Sequence, residues 1–244
     1  MHNRAQRAVL RWKDKIFLSE YSATQGEPHS ATTKLIEWVY ATQPDSALWI
    51  LRRPIWVDYR PTVMCRGMVR VAARKIVEQT TEEIELQIQK EVVTRISTID
   101  NFVNSDKELP TISETHVNTD QEWIQYTQSL LSTIDQSGPR HSQNRPVAAT
   151  LVGPDNVLLA QATNSNAKIK TQHAEANALR TYYQHYRRPL PIGTRLYCTL
   201  KPCRMCAAMF WHCAEDHSSI SVFYADFDHG PNARETILDA GSFD

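Results

Sequence analysis

Residues 172–179 read QHAEANAL. Ala, Glu and Leu propagate a helix well, so most of the stretch is ordinary helix. Its opening is not. His173 and Glu175 are two apart, and an i, i+2 pair points to nearly opposite sides of a helix. If both serve one task, they do so at the helix start, around a third object. A second stretch, PCRMCAAMFWHCAE at 202–215, suggests what that object is. Cys203 and Cys206 lie one turn apart at a second predicted helix start, where the positive end of the helix dipole favours thiolates. Two thiolates and the neutral imidazole of His173 form a donor set of the softness zinc takes, and two thiolates balance a dication. Three protein ligands leave a fourth position open, the mark of a catalytic site. Glu175 need not touch the metal. It has only to reach the water on it, take a proton and pass it to a substrate nitrogen.

The flanking sequence places both helices after strands. TDQEWIQYTQSLLSTIDQ (119–136) reads as a helix capped by Thr119 or Asp120, with a stripe of Trp123, Ile124, Leu130, Leu131 and Ile134. RPVAATLVGPDNVLLAQATN (145–164) reads as a β-hairpin turning at GPDN. TQHAEANALRTYYQHY (171–186) is a helix, and GTRLYCTL (193–200) a strand with Leu196, Cys198 and Leu200 on one face. A helix follows, with Pro202 near its first position, and then the strand SISVFYADF (219–227). Strands alternating with helices predict an α/β fold, with α/β/α layers over a mixed central sheet.

H-x-E followed by P-C-x-x-C is the signature of zinc nucleobase deaminases. Residues 119–240 resemble the zinc-dependent cytidine and tRNA-adenosine deaminase superfamily. The tRNA-adenosine branch fits through the leading helix, the hairpin ending ATN, HAEANAL, TLKPCRMCAAM and VFYADFDHGPNARETILD. The resemblance implies Zn²⁺ on His173, Cys203 and Cys206, with Glu175 as general acid and base. It also implies that Asn164 contacts the base and that the Ala174 N–H and the Pro202 carbonyl hold its polar edge. The implied partner is RNA, possibly tRNA, or a nucleoside, and homo- or hetero-oligomers are expected. Three features depart from the family pattern. Lys201 stands where Glu usually precedes PC, which would alter charge at the pocket rim. The loop 165–171 has its own composition. The chain ends at Asp244, before the further strand and helices that help the family bind tRNA.

Other readings compete. A C-x-x-C pair also serves redox or structural zinc sites, and Cys213 or His212 could close such a site. A free base, nucleoside or nucleotide is an alternative substrate. A non-catalytic RNA-binding subunit is another alternative, although the family's non-catalytic partner lacks the glutamate that is present here. Cys198 and Cys65 read as buried hydrophobes. Tyr182, Tyr183, Tyr186, Phe210 and Trp211 read as packing residues. His185, His217 and His229 are not at ligand spacing. Asp226 and Asp228 suit a loop or capping role as well as a substrate contact.

The first part of the chain is harder to read. AVLRWKDKIFL (8–18) suggests a short helix and KLIEWVYA (34–41) an amphipathic segment. SALWILR (46–52) and PTVMCRGMVRVAARKIV (61–77) are rich in β-formers and suggest strands. Ile84, Ile88, Val92, Ile96 and Ile99 repeat at the helical period, predicting about five turns capped by a Thr80–Glu83 box. A break is placed near 105–120, in a polar stretch around Pro110. It divides a small N-terminal α+β domain of unassigned role (1–110) from the deaminase-like domain (119–244).

The 244 residues carry zero formal net charge and 41% hydrophobic residues. Five cysteines, an odd number with four in one cluster, argue against a secreted disulfide framework. No apolar run suits a membrane span or a signal peptide, so a soluble, cytoplasmic protein is expected. Residues 1–77 hold 13 Lys and Arg against 6 Asp and Glu, and residues 78–137 hold 3 against 12. Without a dense basic run, the first third reads as solvated surface beside an acidic helix rather than a phosphate-binding face.

Overall fold

The structure is a computed structural model and describes residues 5–89, 92–96, 117–134 and 144–240. The connector around Pro110, the boundary at 110 and Ile99 lie outside the described residues.

Two mixed sheets organise the chain. The second contains β6 (Ala148–Val152), β7 (Leu158–Thr163), β8 (Arg195–Leu200) and β9 (Ser221–Asp226), in the order β7-β6-β8-β9. The hairpin β6–β7 and the pair β6–β8 are antiparallel, whereas β8–β9 is parallel. Helix α5 (Asp120–Ser129) covers one face, where Trp123 packs on Val152, Leu158 and Tyr197. Helices α6 (Ala174–Tyr186) and α7 (Arg204–Cys213) cover the other, packing on Ala149, Leu151, Leu196 and Cys198. This is the expected α/β/α arrangement. Thr119, not Asp120, caps α5 in a capping box with Glu122. Pro202 precedes the N-cap of α7 rather than opening the helix. A short helix, α8 (Ile237–Ala240), follows β9.

The first sheet has five strands in the order β4-β3-β1-β2-β5. Here several expectations fail. AVLRWKDKIFL is not a helix but the hairpin β1 (Gln6–Trp12) and β2 (Lys15–Tyr21), turning at Lys13 with φ 57°. The reason lies in burial on both faces. Ala8, Leu10 and Phe17 enter the main core, while Val9, Ile16 and Leu18 pack with Ile84 on the opposite side. Both strand faces are apolar, so period-2 alternation vanishes from the sequence.

SALWILR is not a strand. Ala47 and Ile50 are buried while Leu48 and Trp49 are 62% and 59% exposed, the spacing of helix α2 (Ala47–Ile50). Most of PTVMCRGMVRVAARKIV is helix α3 (Val63–Ala72), capped by Thr62, whose hydroxyl accepts the Cys65 N–H at 3.3 Å. Its buried Met64, Cys65, Met68 and Ala72 recur at helical spacing and override the β propensity of its valines. Only the end forms a strand, β4 (Lys75–Glu78), beside β3 (Pro54–Val57). Helix α1 (Ala31–Thr42) includes the amphipathic segment. The long helix after Thr80 is only α4 (Thr81–Ile88), with the predicted capping box, because Val92–Arg95 pairs with β2 as β5.

The two sheets share one main core, which runs from Leu10 and Val39 through Met68 to Met205 and Phe210. Helix α3 packs so closely on α7 that a Cβ on Gly67 would lie 2.7 Å from Ala208 Cβ and 2.8 Å from the Arg204 carbonyl. A buried ion pair, Glu37 with Arg180, joins α1 to α6. Among the described residues no helix is long and apolar enough to cross a membrane.

Candidate functional site

Helices α6 and α7 begin in the same way. His173 is the N-cap of α6 and Cys203 the N-cap of α7, and neither side chain caps its own helix. An N-cap normally accepts a hydrogen bond from the first turn. At α6 another group performs that duty. The Asn164 amide oxygen, at the end of β7, accepts the Ala174 N–H at 2.7 Å. This frees His173 to turn its ring toward α7.

There it meets both cysteines. His173 Nδ1 lies 3.5 Å from Cys203 Sγ and 3.5 Å from Cys206 Sγ, and the two sulfurs are 3.6 Å apart. Ligand bonds of about 2.3 Å to sulfur and 2.0–2.1 Å to nitrogen in tetrahedral geometry require N···S near 3.6 Å and S···S near 3.8 Å. The triangle therefore fits a zinc ion. Among the described residues it is the only group of three or more His, Cys, Asp or Glu donors placed to hold a metal. Cys213 and His212 do not join it.

Glu175, two residues beyond His173, is 3% exposed. Burial, reinforced by the nearby Cys203 sulfur, raises its pKa to about 7. The donors are coupled as well. Cys203 is held well below the usual thiol range by its hydrogen bonds with Cys206 and His173, while burial and the Cys203 charge push Cys206 up. Burial opposes a charge on His173, but Cys203 and Glu175 outweigh it and raise its pKa. Cys198, at the base of the site on β8, stays a neutral thiol because burial, then Glu175 and Cys203, push it well above the ordinary value.

The structure thus gathers His173, Glu175, Cys203 and Cys206 at the converging N-termini of two helices, with Asn164 and Ala174 bonded to each other at the edge. Pro202 is buried just before Cys203. Lys201 pairs with Asp239 of α8 at 2.7 Å, so its charge is partly neutralised. Asp228 accepts the Gly230 N–H and pairs with Arg145, a loop role. Tyr182 and Tyr183 are buried, and Trp211 stacks on His217.

Two supporting residues escaped the sequence reading. Asn177 donates to the Thr163 carbonyl at 3.0 Å and the Ser165 hydroxyl at 3.1 Å, tying the end of β7 to α6. Arg180, pinned by Glu37, donates to the Thr171 carbonyl at 3.3 Å and fixes the segment that delivers His173. Their signal was faint: polar side chains one and two turns beyond the motif on the same helix.

A three-layer α/β/α domain with an H-x-E/P-C-x-x-C donor cluster at two helix starts defines the class of nucleobase deaminases. Residues 138–244 match the model of the Bd3614-like deaminase family, and this part of the chain belongs to the cytidine deaminase-like superfamily. No curated protein sequence matches the chain. Among solved structures, one from work on A-to-I editing by tRNA:A34 deaminases at the wobble position is 30% identical. That match covers 37% of this chain and 68% of that one, with a TM-score of 0.31. Guanine deaminase from Bacillus subtilis is 24% identical over 45% of this chain and 66% of its own, with a TM-score of 0.35. The dCMP deaminase of cyanophage S-TIM5, bound to dCMP and dUMP, is 16% identical over 50% and 90%, with a TM-score of 0.36.

Proposed function

We propose that the chain is a zinc-dependent hydrolytic deaminase acting on adenine or cytosine within RNA, with residues 119–244 as the catalytic domain and residues 1–110 as an accessory one. The observation that carries this is the placement of Glu175, buried, beside a donor triangle of zinc dimensions. His173, Cys203 and Cys206 would hold the ion. When bound, zinc supplies the Lewis acidity that makes a water nucleophilic near neutral pH.

The chain's own residues do the rest. Glu175 takes the proton released as water adds to the carbon bearing the exocyclic amine. It passes that proton to the adjacent ring nitrogen, then takes the proton of the newly added hydroxyl and gives it to the amine, which leaves as ammonia as the C–N bond breaks and the carbonyl forms. The Asn164 amide oxygen is committed to Ala174, which leaves its NH₂ group to donate to the base. The carbonyl of Pro202, the residue before Cys203, would accept from the amine.

The test is ammonia release by the zinc-loaded chain from RNA, DNA and free nucleosides, with Glu175→Ala as control. Release from RNA, lost in the variant, is expected. No release from any substrate defeats the proposal, and release from nucleosides alone replaces RNA with a small substrate.

A further inference from the structure

An open groove of about 620 Å³ runs between the start of α3, α7 and the segment leading into α8, and it contains none of the site residues above. Its lining includes four arginines, Arg60, Arg66, Arg70 and Arg204, against one acid, Glu235. Arg204 lies between Cys203 and Cys206 in sequence, so one helical turn presents thiols to the metal centre and a guanidinium to this groove.

Four cations along one open groove, three of them exposed, give it a positive potential that attracts anions. The charges are also prepared for a ligand. Arg204 Nε donates to the Arg234 carbonyl at 2.9 Å and Arg66 Nε to the Pro61 carbonyl at 3.3 Å, which fixes both side chains by their inner nitrogens. Among the described residues their outer nitrogens meet only solvent-exposed acids: Glu235, 85% exposed, at 3.3 Å, and Glu78 at 3.6 Å. Exposed pairs of this kind are weak and readily exchanged. Arg60 and Arg70 form no ion pair with any described residue. Glu235 itself stands at φ 48°, a backbone conformation that side-chain-bearing residues disfavour, beside Arg204.

We propose that this groove binds the phosphodiester backbone of a single-stranded nucleic acid. All four cations are arginines, whose planar forks match phosphate oxygens in a bidentate way. Arg66 and Arg70 are one helical turn apart, so successive phosphates can each take a guanidinium. Among the described residues no aromatic ring lines the groove, so it grips the backbone and leaves the bases unread. On this proposal the basic first third of the chain supplies three of the groove's four cations. The proposal stands apart from the deaminase reading, because binding is measured without turnover.

The test is fluorescence anisotropy of labelled RNA and DNA single strands of about 15 nucleotides, within the usual site-size range, titrated with the full chain at several salt concentrations. Arg60→Glu/Arg70→Glu is expected to weaken both strands about tenfold or more and to flatten the log K against log salt slope by about 0.7 for each phosphate no longer neutralised. Arg60→Gln/Arg70→Gln, a milder pair, should weaken them less, and Glu235→Gln should tighten them. Arg52→Glu/Arg53→Glu, an equal charge change elsewhere on the surface, should leave binding unchanged. The proposal is overturned if the groove variants bind like the parent chain, or if the Arg52/Arg53 control weakens binding equally. It also falls if inorganic phosphate or a nucleoside monophosphate displaces the strand at equal phosphate concentration, or if poly-glutamate competes as well as RNA.

Discussion

The two faces of the α7 helix start make a useful contrast. Inward, Cys203 and Cys206 are buried against His173, and each donor's charge depends on the others. Outward, Arg204 and its neighbours carry fixed charges against solvent. The inner face holds chemistry that should respond to metal and proton but little to salt. The outer face holds charge that should respond to salt and little to metal. Gly67 lets α3 close over the outer face of α7 without a side chain between them.

The largest effect that sharpens this contrast comes from Glu175→Gln. It is expected to lower turnover by about 10²–10⁴-fold, the usual contribution of a positioned acid–base group, while bound zinc and strand affinity stay unchanged. Ammonia release, metal content and anisotropy on one preparation check all three. A fall in strand affinity would show that the faces are not independent.

Next comes the pair that anchors the inner face from a distance. Glu37→Leu leaves the Arg180 guanidinium buried without its partner and should cost about 3–5 kcal/mol in urea unfolding. Glu37→Leu/Arg180→Met should recover much of that loss, because apolar replacement of a buried pair is often neutral. If the double variant is no more stable than the single, the pair is not the cause.

Gly67→Ala tests the partition between the faces. Its Cβ would meet Ala208 and the Arg204 backbone below contact distance, so a destabilisation of about 1–3 kcal/mol from overpacking is expected, with altered strand binding. Unfolding midpoints report the first and anisotropy the second.

The smallest effect lies at the rim. Burial works to raise the Asp239 pKa, but Lys201 and the Thr236 N–H outweigh it and hold it below the ordinary carboxylate value. A depressed pKa adds stability above the unfolded value, lost as pH falls through the folded one. Asp239→Asn should therefore cost under about 1 kcal/mol at neutral pH, as for an exposed pair, with the difference vanishing in acid.

The same contrast explains what could be read in advance. The inner face was legible because its residues are chemically distinctive and locally spaced: His173 with Glu175, Cys203 with Cys206. The strands that carry it keep clear turns, such as GPDN between β6 and β7. The outer face was not legible, because Arg60, Arg66 and Arg70 meet Arg204 only through tertiary packing. The N-terminal sheet misled for a related reason. Val9 and Leu10 are both buried, on opposite faces of one strand, so no period marks the hairpin. The valines of α3 look like strand residues until α7 is there to pack against them. Arg180 and Asn177 carry no motif, and their roles exist only through Glu37 and the Thr163 carbonyl.

The most direct measurement is zinc stoichiometry of the full chain after loading and dialysis, for the parent and for Glu175→Gln, Cys198→Ser and Cys206→Ser. One ion per chain in the first three and its loss in Cys206→Ser is the predicted result. A parent chain that holds no zinc, or a Cys206→Ser chain that keeps a full equivalent, contradicts the metal centre on which the proposed chemistry depends.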